Sequence, residues 1–315
     1  MSSTLKIGID LGGTKTEIIA LDAGGRELLR RRVPTPSLDY GAILATIGEL
    51  VHGAERELGA RATVGVGAPG SVSAVSGRLK NSNTACLIGK PLRLDLERLL
   101  EREIRLANDA NCFALSEAVD GAGAGAEVVF GVILGTGVGG GIVVGERIIE
   151  GANAIAGEWG HNRLPSADAA ELPGPRCYCG RHGCVETWLC GSGLARDHAA
   201  HGGASLSAPA IAAAALAGDS AAQASLARYQ DRLARSLAVV INILDPQVVV
   251  LGGGLSNIDS LYAGLPPLLR QHVFSDEVVT RVVKHRHGDS SGARGAAWLW
   301  GGQRREGSGM PALGY

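Results

Sequence analysis

Three cysteines, Cys177, Cys179 and Cys184, fall within eight residues of one another, a short way downstream of His161. Three thiolates and one imidazole make a tetrahedral Cys3His set, the coordination that Zn2+ favours. With all four positions taken by protein, such an ion is structural. A tight cluster in a reducing compartment points to metal before disulfide. The other cysteines, Cys86, Cys112 and Cys190, stand alone and read as small core residues. A zinc ion here would staple the segment of Gly157-Glu158-Trp159-Gly160-His161 to that of Glu186. The two glutamates could then present paired carboxylates as acceptors for sugar hydroxyls. Taken singly, each also reads as an exposed charge at a helix end.

A second group of residues suits phosphate. Gly8-Ile9-Asp10-Leu11-Gly12-Gly13-Thr14-Lys15 joins a strand to a hairpin. Glycines let the backbone approach an oxyanion closely, free N–H groups bind it, and Thr14 adds a hydroxyl donor. Asp10 would repel phosphate directly, so it fits if Mg2+ lies between them. The run is neither a dinucleotide-type glycine motif nor a Walker A loop. A glycine-rich turn with a capping Asp is the plain alternative. Two more glycine runs follow strands, Gly135-Thr136-Gly137-Val138-Gly139-Gly140-Gly141 and Gly252-Gly253-Gly254. Three such clusters at strand ends suit a nucleotide held across a cleft.

Asn108-Asp109 follows a strand and opens a helix, a common capping arrangement. It also places a carboxylate where it could accept the proton of a sugar hydroxyl during phosphoryl transfer. The histidines of His285-Arg286-His287 match no ligand spacing and read as a solvated turn.

The elements that must position these residues follow from periodicity. Over the first 120 residues the pattern is β-β-β-α-β-α-β-α, with strands at 5–9, 16–21, 27–33, 63–68 and 104–107 and helices at 40–58, 94–102 and 110–119. A similar order begins again with strands at 128–134, 139–144 and 147–150. The 150s to 190s are loop-rich. A long helix at 221–244, a strand at 247–251, a helix at 262–272, a strand at 281–284 and a last helix at 293–300 complete the chain. Two strand–glycine–hairpin units suggest a duplicated architecture with a cleft between lobes. The expected division is a small lobe over 1–121, joined by the C-terminal helix at about 288–300, and a large lobe with the zinc site over 122–287. The tail 301–315 lacks periodicity and reads as disordered.

The 315-residue length suits two lobes, and 45% hydrophobic against 19% charged residues is a globular balance. Lys plus Arg is 30 against 31 for Asp plus Glu, which argues against a nucleic-acid partner bound through bulk positive charge. There is no basic-then-apolar leader and no apolar run long enough to span a bilayer. The expectation is a cytoplasmic protein with no membrane partner.

In their order, these motifs resemble the ROK family of bacterial sugar kinases, from Lys6 to about Trp300. The resemblance implies an α/β, two-lobed ribonuclease-H-like fold of the actin/hexokinase type, with an interlobe cleft. It implies ATP with Mg2+, Asp109 as catalytic base, and zinc on His161, Cys177, Cys179 and Cys184. Sugar contacts would come from Asn108, Asp109, Glu158, His161 and Glu186, with Gly70 and Asn83 nearby. His161 would then serve zinc and sugar through different ring nitrogens. The nucleotide cradle would comprise Gly8, Asp10, Gly12, Gly13, Thr14, Lys15, Gly135, Thr136, Gly137, Gly139, Gly252, Gly253 and Gly254. Family members are often homodimers.

Within the family, four stretches are similar to fructokinases that also accept mannose. They are Lys80-Asn81-Ser82-Asn83, Leu106 to Cys112, Ala156 to Asn162 and His287 to Gly292. The expected reaction is therefore ATP:hexose 6-phosphotransfer, fructose to fructose 6-phosphate. Arg163-Leu164-Pro165 and Cys112-Phe113-Ala114-Leu115 lean instead toward N-acetylglucosamine kinases, the alternative. A sugar-sensing ROK regulator without kinase activity is the reading of another class. The phosphate loop begins at Gly8, leaving no room for a DNA-binding domain before it, and Asp109 is retained.

Overall fold

The computed structural model describes residues 5–301 except Ala74 and Asn83. Strands β1 (Lys6–Leu11), β2 (Lys15–Leu21) and β3 (Glu27–Pro34) lead into helix α1 (Tyr40–Leu58) and strand β4 (Thr63–Ala68). A short pair, β5 (Ser71–Val72) and β6 (Leu79–Lys80), precedes α2 (Leu92–Leu100), β7 (Ile104–Asn108) and α3 (Asp109–Val119). The second half runs β8 (Val128–Leu134), β9 (Val138–Val144), β10 (Arg147–Ile148), α4 (Val185–Leu189), α5 (Gly191–Ala200), α6 (Ala208–Leu216) and α7 (Ser220–Leu244). It ends with β11 (Val248–Gly252), α8 (Ser260–His272), β12 (Arg281–Lys284) and α9 (Ser291–Trp298).

The duplication expected from the repeated pattern is visible as topology. One sheet has the order β3-β2-β1-β4-β7 and the other β10-β9-β8-β11-β12. In each, three strands pair antiparallel as a meander and two more add in parallel. The parallel pairs need crossovers, which the helices supply. Helix α1 shows the local logic. Asp39 caps it by accepting from the Ala42 N–H, and Gly59 ends it in the left-handed region. Ile43, Ile47, Val51 and Ala54 recur at helical spacing and bury against the first sheet with Ile9, Val64 and Val66.

A third apolar cluster joins the halves. Ile19 and Leu21 of the first sheet meet Val129, Val248 and Val250 of the second through Phe113 and Leu115 on α3 and Ala293, Ala297 and Trp298 on α9. Helix α9 lies against β1 and β4, and α3 against β8 and β9, while the two helices cross each other. That approach requires bare backbone. A Cβ on Gly8 or Gly65 would overlap the carbonyl oxygens of Ala293 or Ala296 on α9, and one on Gly295 would overlap the Cys112 carbonyl on α3.

The structure departs from the pattern in places with a physical cause. Helices α4, α5 and α6 lie where the sequence reads as loop or shows no element. Helix α6 is APAIAAAAL, with no polar face to reveal a period. Helix α2 begins two residues before the expected 94, directly after Pro91, and α9 stops at Trp298. Residues 302–315 of the expected disordered tail lie outside the described residues. Among the described residues, no helix is long and apolar enough to cross a membrane.

The crossing yields a stability test. Alanine at position 295 would gain about 1 kcal/mol in helix propensity over glycine. It must nonetheless displace the α3 backbone, and overpacking typically costs about 1–3 kcal/mol. Gly65→Ala and Gly295→Ala should therefore both lower the urea midpoint. Gly135→Ala, whose Cβ would meet no atom within 4 Å, should leave it near wild type. A Gly295→Ala variant as stable as wild type would show that the crossing tolerates separation.

Candidate functional site

The C-terminal ends of β1 and β7, which flank β4, place two carboxylates within electrostatic reach of each other. Asn108 caps α3, accepting from the Ala110 N–H at 2.8 Å, and its amide donates to the Gly70 carbonyl at 3.0 Å. Asp109, the first helical residue, also accepts from the Ala110 N–H at 2.8 Å. The cap reading of this pair is thus borne out at Asn108. Asp109 is open to water, yet its carboxyl lies deep enough to have protein on most sides. Burial therefore raises its pKa, and the Glu158 carboxylate adds to the rise against the backbone hydrogen bond from Ala110. Asp10 is pushed up to about 7, first by burial and then by Asp109 and Glu17. Across the strands, Asp10 is in register with Glu17, and Glu17 with Arg32. Glu17 is buried and paired with Arg30 at 2.9 Å and with the Arg32 Nε at 2.6 Å.

The glycine runs divide into two kinds. The first turn is braced from outside: the Gly12 N–H donates to the Lys15 carbonyl at 3.0 Å, and the Thr35 hydroxyl donates to the Gly12 carbonyl at 2.8 Å. Gly13, Thr14 and Lys15 are exposed at its tip. In the second, the Gly135 N–H donates to the Gly137 carbonyl at 2.9 Å, and the Gly191 N–H donates to the Gly135 carbonyl, also at 2.9 Å. A Cβ on Gly135 or Gly254 would meet nothing within 4 Å, so packing does not explain glycine there. Space of this kind, beside the exposed Thr136 and Gly253, fits the close approach of a nucleotide. Gly8, Gly139 and Gly252, also expected in the nucleotide cradle, each have neighbours inside the protein. All three lie inside strands. Gly8 makes room for α9, and Gly252 makes room for the Phe113 ring. Gly139 offers its carbonyl to the Trp159 indole N–H at 2.9 Å.

The four residues of the Cys3His set converge, their ligand atoms all lying within 4.8 Å of one another. The His161 Nδ1 is 3.6 Å from the Cys177 sulfur, and the Cys179 and Cys184 sulfurs are 3.6 Å apart. A tetrahedron with metal–sulfur bonds of about 2.3 Å has edges of about 3.8 Å, so the set fits zinc. Burial pushes the Cys184 thiol up to about 12 and raises that of Cys177. Ionisation of both therefore calls for a cation among them.

The partners hold this cluster against the second glycine turn. The Val185 N–H donates to the Asn162 carbonyl at 2.8 Å, and Glu186 accepts from the Val138 N–H at 3.1 Å. Glu186 thus reaches the backbone just past Gly137 instead of standing free. Gly157 and Gly160 press against the backbone of β9, and Trp159 meets Phe130 edge-on at 5.7 Å. This anchorage holds Glu158 near Asp109. The second nitrogen of His161, expected to face a sugar, is 2.9 Å from the Tyr178 hydroxyl. Tyr178 escaped the sequence reading, although its place between two ligand cysteines was a signal. Asn83 lies outside the described residues. The His285 segment is a turn but not the solvated one expected: His285 Nδ1 accepts from the Gly288 N–H at 2.9 Å, and His287, mostly buried, lies 2.9 Å from Asp120.

The raised pKa of Asp10 has a stability consequence of definite sign. In the unfolded chain this carboxyl loses its proton near its ordinary value of 3.8, whereas in the fold it keeps the proton to about 7. Stability from this group is complete below about pH 4 and is lost as pH rises through 7. Asp10→Asn should then be more resistant to urea than wild type in ligand-free protein. The difference should grow from pH 4 to pH 7 and level off above. Equal stability of the two proteins at pH 8 would place Asp10 in a more polar environment than this.

Comparison with known proteins accords with this geometry. An "N-acetyl-D-glucosamine kinase" of Pectobacterium atrosepticum is 42% identical over 297 residues, covering 93% of this chain and 97% of that protein. The crystal structure of a ROK hexokinase from Thermus thermophilus superimposes with a TM-score of 0.82 at 33% identity, covering 93% of this chain and 97% of the other. A ROK family glucokinase from Streptomyces griseus, solved in complex with glucose and AMPPNP, gives a TM-score of 0.72 at 28% identity, covering 94% and 98% of the two chains. The two duplicated sheets are those of the two-lobed actin/hexokinase-like fold. The ROK family model matches residues 6–303, and the chain belongs to that family.

Proposed function

We propose that this protein is an ATP-dependent sugar kinase whose substrate is N-acetyl-D-glucosamine, phosphorylated at its primary 6-hydroxyl. The observation that carries the kinase reading is Asp109: a carboxylate at the head of α3, raised in pKa by burial, with Asp10 and Glu158 beside it. Gly135 and Gly254 add glycine positions that packing leaves unexplained. The substrate follows from the 42% identical relative that bears this activity in its name. That likeness favours the alternative raised by Arg163-Leu164-Pro165 over the fructose reading. The regulator reading is less favoured because Asp109 and the open glycine turns are both present.

In this mechanism the sugar 6-oxygen forms a bond to the γ-phosphorus of ATP. The bond from that phosphorus to the bridging oxygen breaks, and ADP leaves. The hydroxyl proton passes to Asp109, which burial makes a stronger base than an ordinary surface carboxylate. Asp10 would hold the Mg2+ that neutralises charge on the phosphates. The N–H groups of the turns at Gly12–Lys15 and Gly135–Gly137 would bind phosphate oxygens. Glu158 and Asn108 would orient the sugar, His161 would hold the Tyr178 hydroxyl, and zinc in the Cys3His set would fix the loops that carry Glu158 and Glu186.

ADP release measured against a panel of N-acetylglucosamine, glucose, mannose and fructose should show the highest kcat/KM for N-acetylglucosamine. A clear preference for fructose would restore the fructokinase reading while leaving Asp109 in place. Asp109→Asn keeps the size of the side chain but cannot take the proton, and should lower kcat by roughly 10²–10⁴-fold with sugar binding retained. Turnover near wild type would remove Asp109 from the mechanism. Elemental analysis should find about one zinc per chain. Cys179→Ser should lose the metal and raise the KM for sugar, and active enzyme free of zinc would refute the structural role.

A further inference from the structure

Several side chains around Asp109 and the Cys3His cluster have structural occupations. Asn108 caps a helix, Trp159 donates to the Gly139 carbonyl, and Glu186 accepts from the Val138 N–H. Tyr178 is 83% exposed, so its ring adds nothing to the core. Its backbone is set on both sides, because Cys177 and Cys179 belong to the cluster of ligand atoms. The Cys177 N–H donates to the Arg181 carbonyl at 2.8 Å, and the Gly180 N–H donates to the Cys177 carbonyl at 3.0 Å, closing the turn tightly. The phenol is fixed too. Its hydroxyl is 2.9 Å from the His161 Nε2, and the two rings meet edge-on with centroids 5.1 Å apart at 83°. The ring also stands within the electrostatic reach of both Glu158 and Glu186.

An aromatic ring held at both ends yet left bare on its faces is a prepared contact surface. Tyrosine offers a large, rigid apolar face with a polar tip at low entropic cost. The carboxylates nearby suit sugar hydroxyls, but they give nothing to an apolar group. We propose that Tyr178 is a sugar-contacting, specificity-determining residue: its ring, held by Cys177, Cys179 and His161, is the wall on which the 2-acetamido group of the substrate packs. A 2-hydroxyl in the same place gains little from an aromatic face, whereas an acetamido methyl leaves water against it. Loss of such an apolar contact characteristically changes discrimination by 10-fold or more. The hydroxyl of Tyr178 positions the ring through His161, and the ring face carries the selectivity. This inference rests on the N-acetylglucosamine kinase reading above.

The test uses the full chain and titrates N-acetylglucosamine and glucose calorimetrically without ATP, alongside kcat and KM for both sugars and zinc content. Tyr178→Ala and Tyr178→Gln should each weaken N-acetylglucosamine binding about tenfold while changing glucose binding less than about threefold. Tyr178→Phe, which keeps the face, should retain the wild-type preference. The KM for ATP and the zinc content should stay as in wild type for all three, a readout that a merely structural role of the loop would move. An unchanged preference in Tyr178→Ala overturns the proposal, as does a loss in Tyr178→Phe equal to that in Tyr178→Ala. Wild-type protein that binds neither sugar and releases no ADP overturns the kinase reading and this one with it. A wild type that prefers N-acetylglucosamine with an indifferent Tyr178→Ala overturns this one alone.

Discussion

The close crossing of α3 and α9 is the constraint on which the rest of the molecule depends. Each helix is seated on one sheet and pressed on the other helix, so together they set how the duplicated halves face each other. The distance is fixed by missing side chains: Gly8 and Gly65 beneath α9, Gly131 and Gly141 beneath α3, and Gly295 where the helices meet. Close-packed interiors transmit such displacements because there is no void to absorb them. Buried polar groups reinforce the crossing. Glu117 on α3, fully buried, accepts from the Arg286 N–H at 2.9 Å, the His287 N–H at 3.2 Å and the Ser291 hydroxyl at 3.0 Å. It thereby ties α3 to the chain that leads into α9. Asp120 adds the Arg294 guanidinium at 2.9 Å and the Trp298 indole at 3.1 Å. Asp10 and Asp109 sit at the ends of β1 and β7, so β4 between them sets their separation, and the crossing sets how that pair faces the second half.

The larger half holds its long loop by charge. Arg232 and Arg235 of α7 are buried with Glu171, at 2.7 and 2.9 Å, and Arg232 also reaches Asp197 at 2.7 Å. Arg235 donates to the Pro165 and Ser166 carbonyls at 2.9 Å each. Burying these ions carries a desolvation penalty that mutual attraction only roughly offsets, so their value lies in specifying position more than in stability. They fix the segment between His161 and Cys177, whose ends carry ligands of the Cys3His set. From there the order passes on through Glu186 to the Val138 N–H and through Gly191 to the Gly135 carbonyl. The Cys3His set, the Glu186 carboxylate and a glycine turn thus form one continuous hydrogen-bonded body. Loosening any part of it should be felt at the others.

Much of this was determined by sequence alone, where a local rule governs. Strand periodicity, Asn108 as a cap, three cysteines at metal spacing and the repeated strand–glycine–hairpin unit all act through neighbours in the chain, and all appear in the fold. Where a residue's role depends on what packs upon it, the sequence could not speak. Gly8 and Gly135 both belong to glycine runs where a strand leads into a turn. Only the tertiary structure shows that α9 covers one and that nothing covers the other. Helix α6 has no period to read because it is apolar on every side, and its existence depends on burial between neighbours. The reach of Glu186 to Val138 and the meeting of Tyr178 with His161 join residues of separate segments. Those meetings, and the pKa of about 7 at Asp10, were decided by folding, because burial and approach through space are properties no stretch of chain possesses by itself.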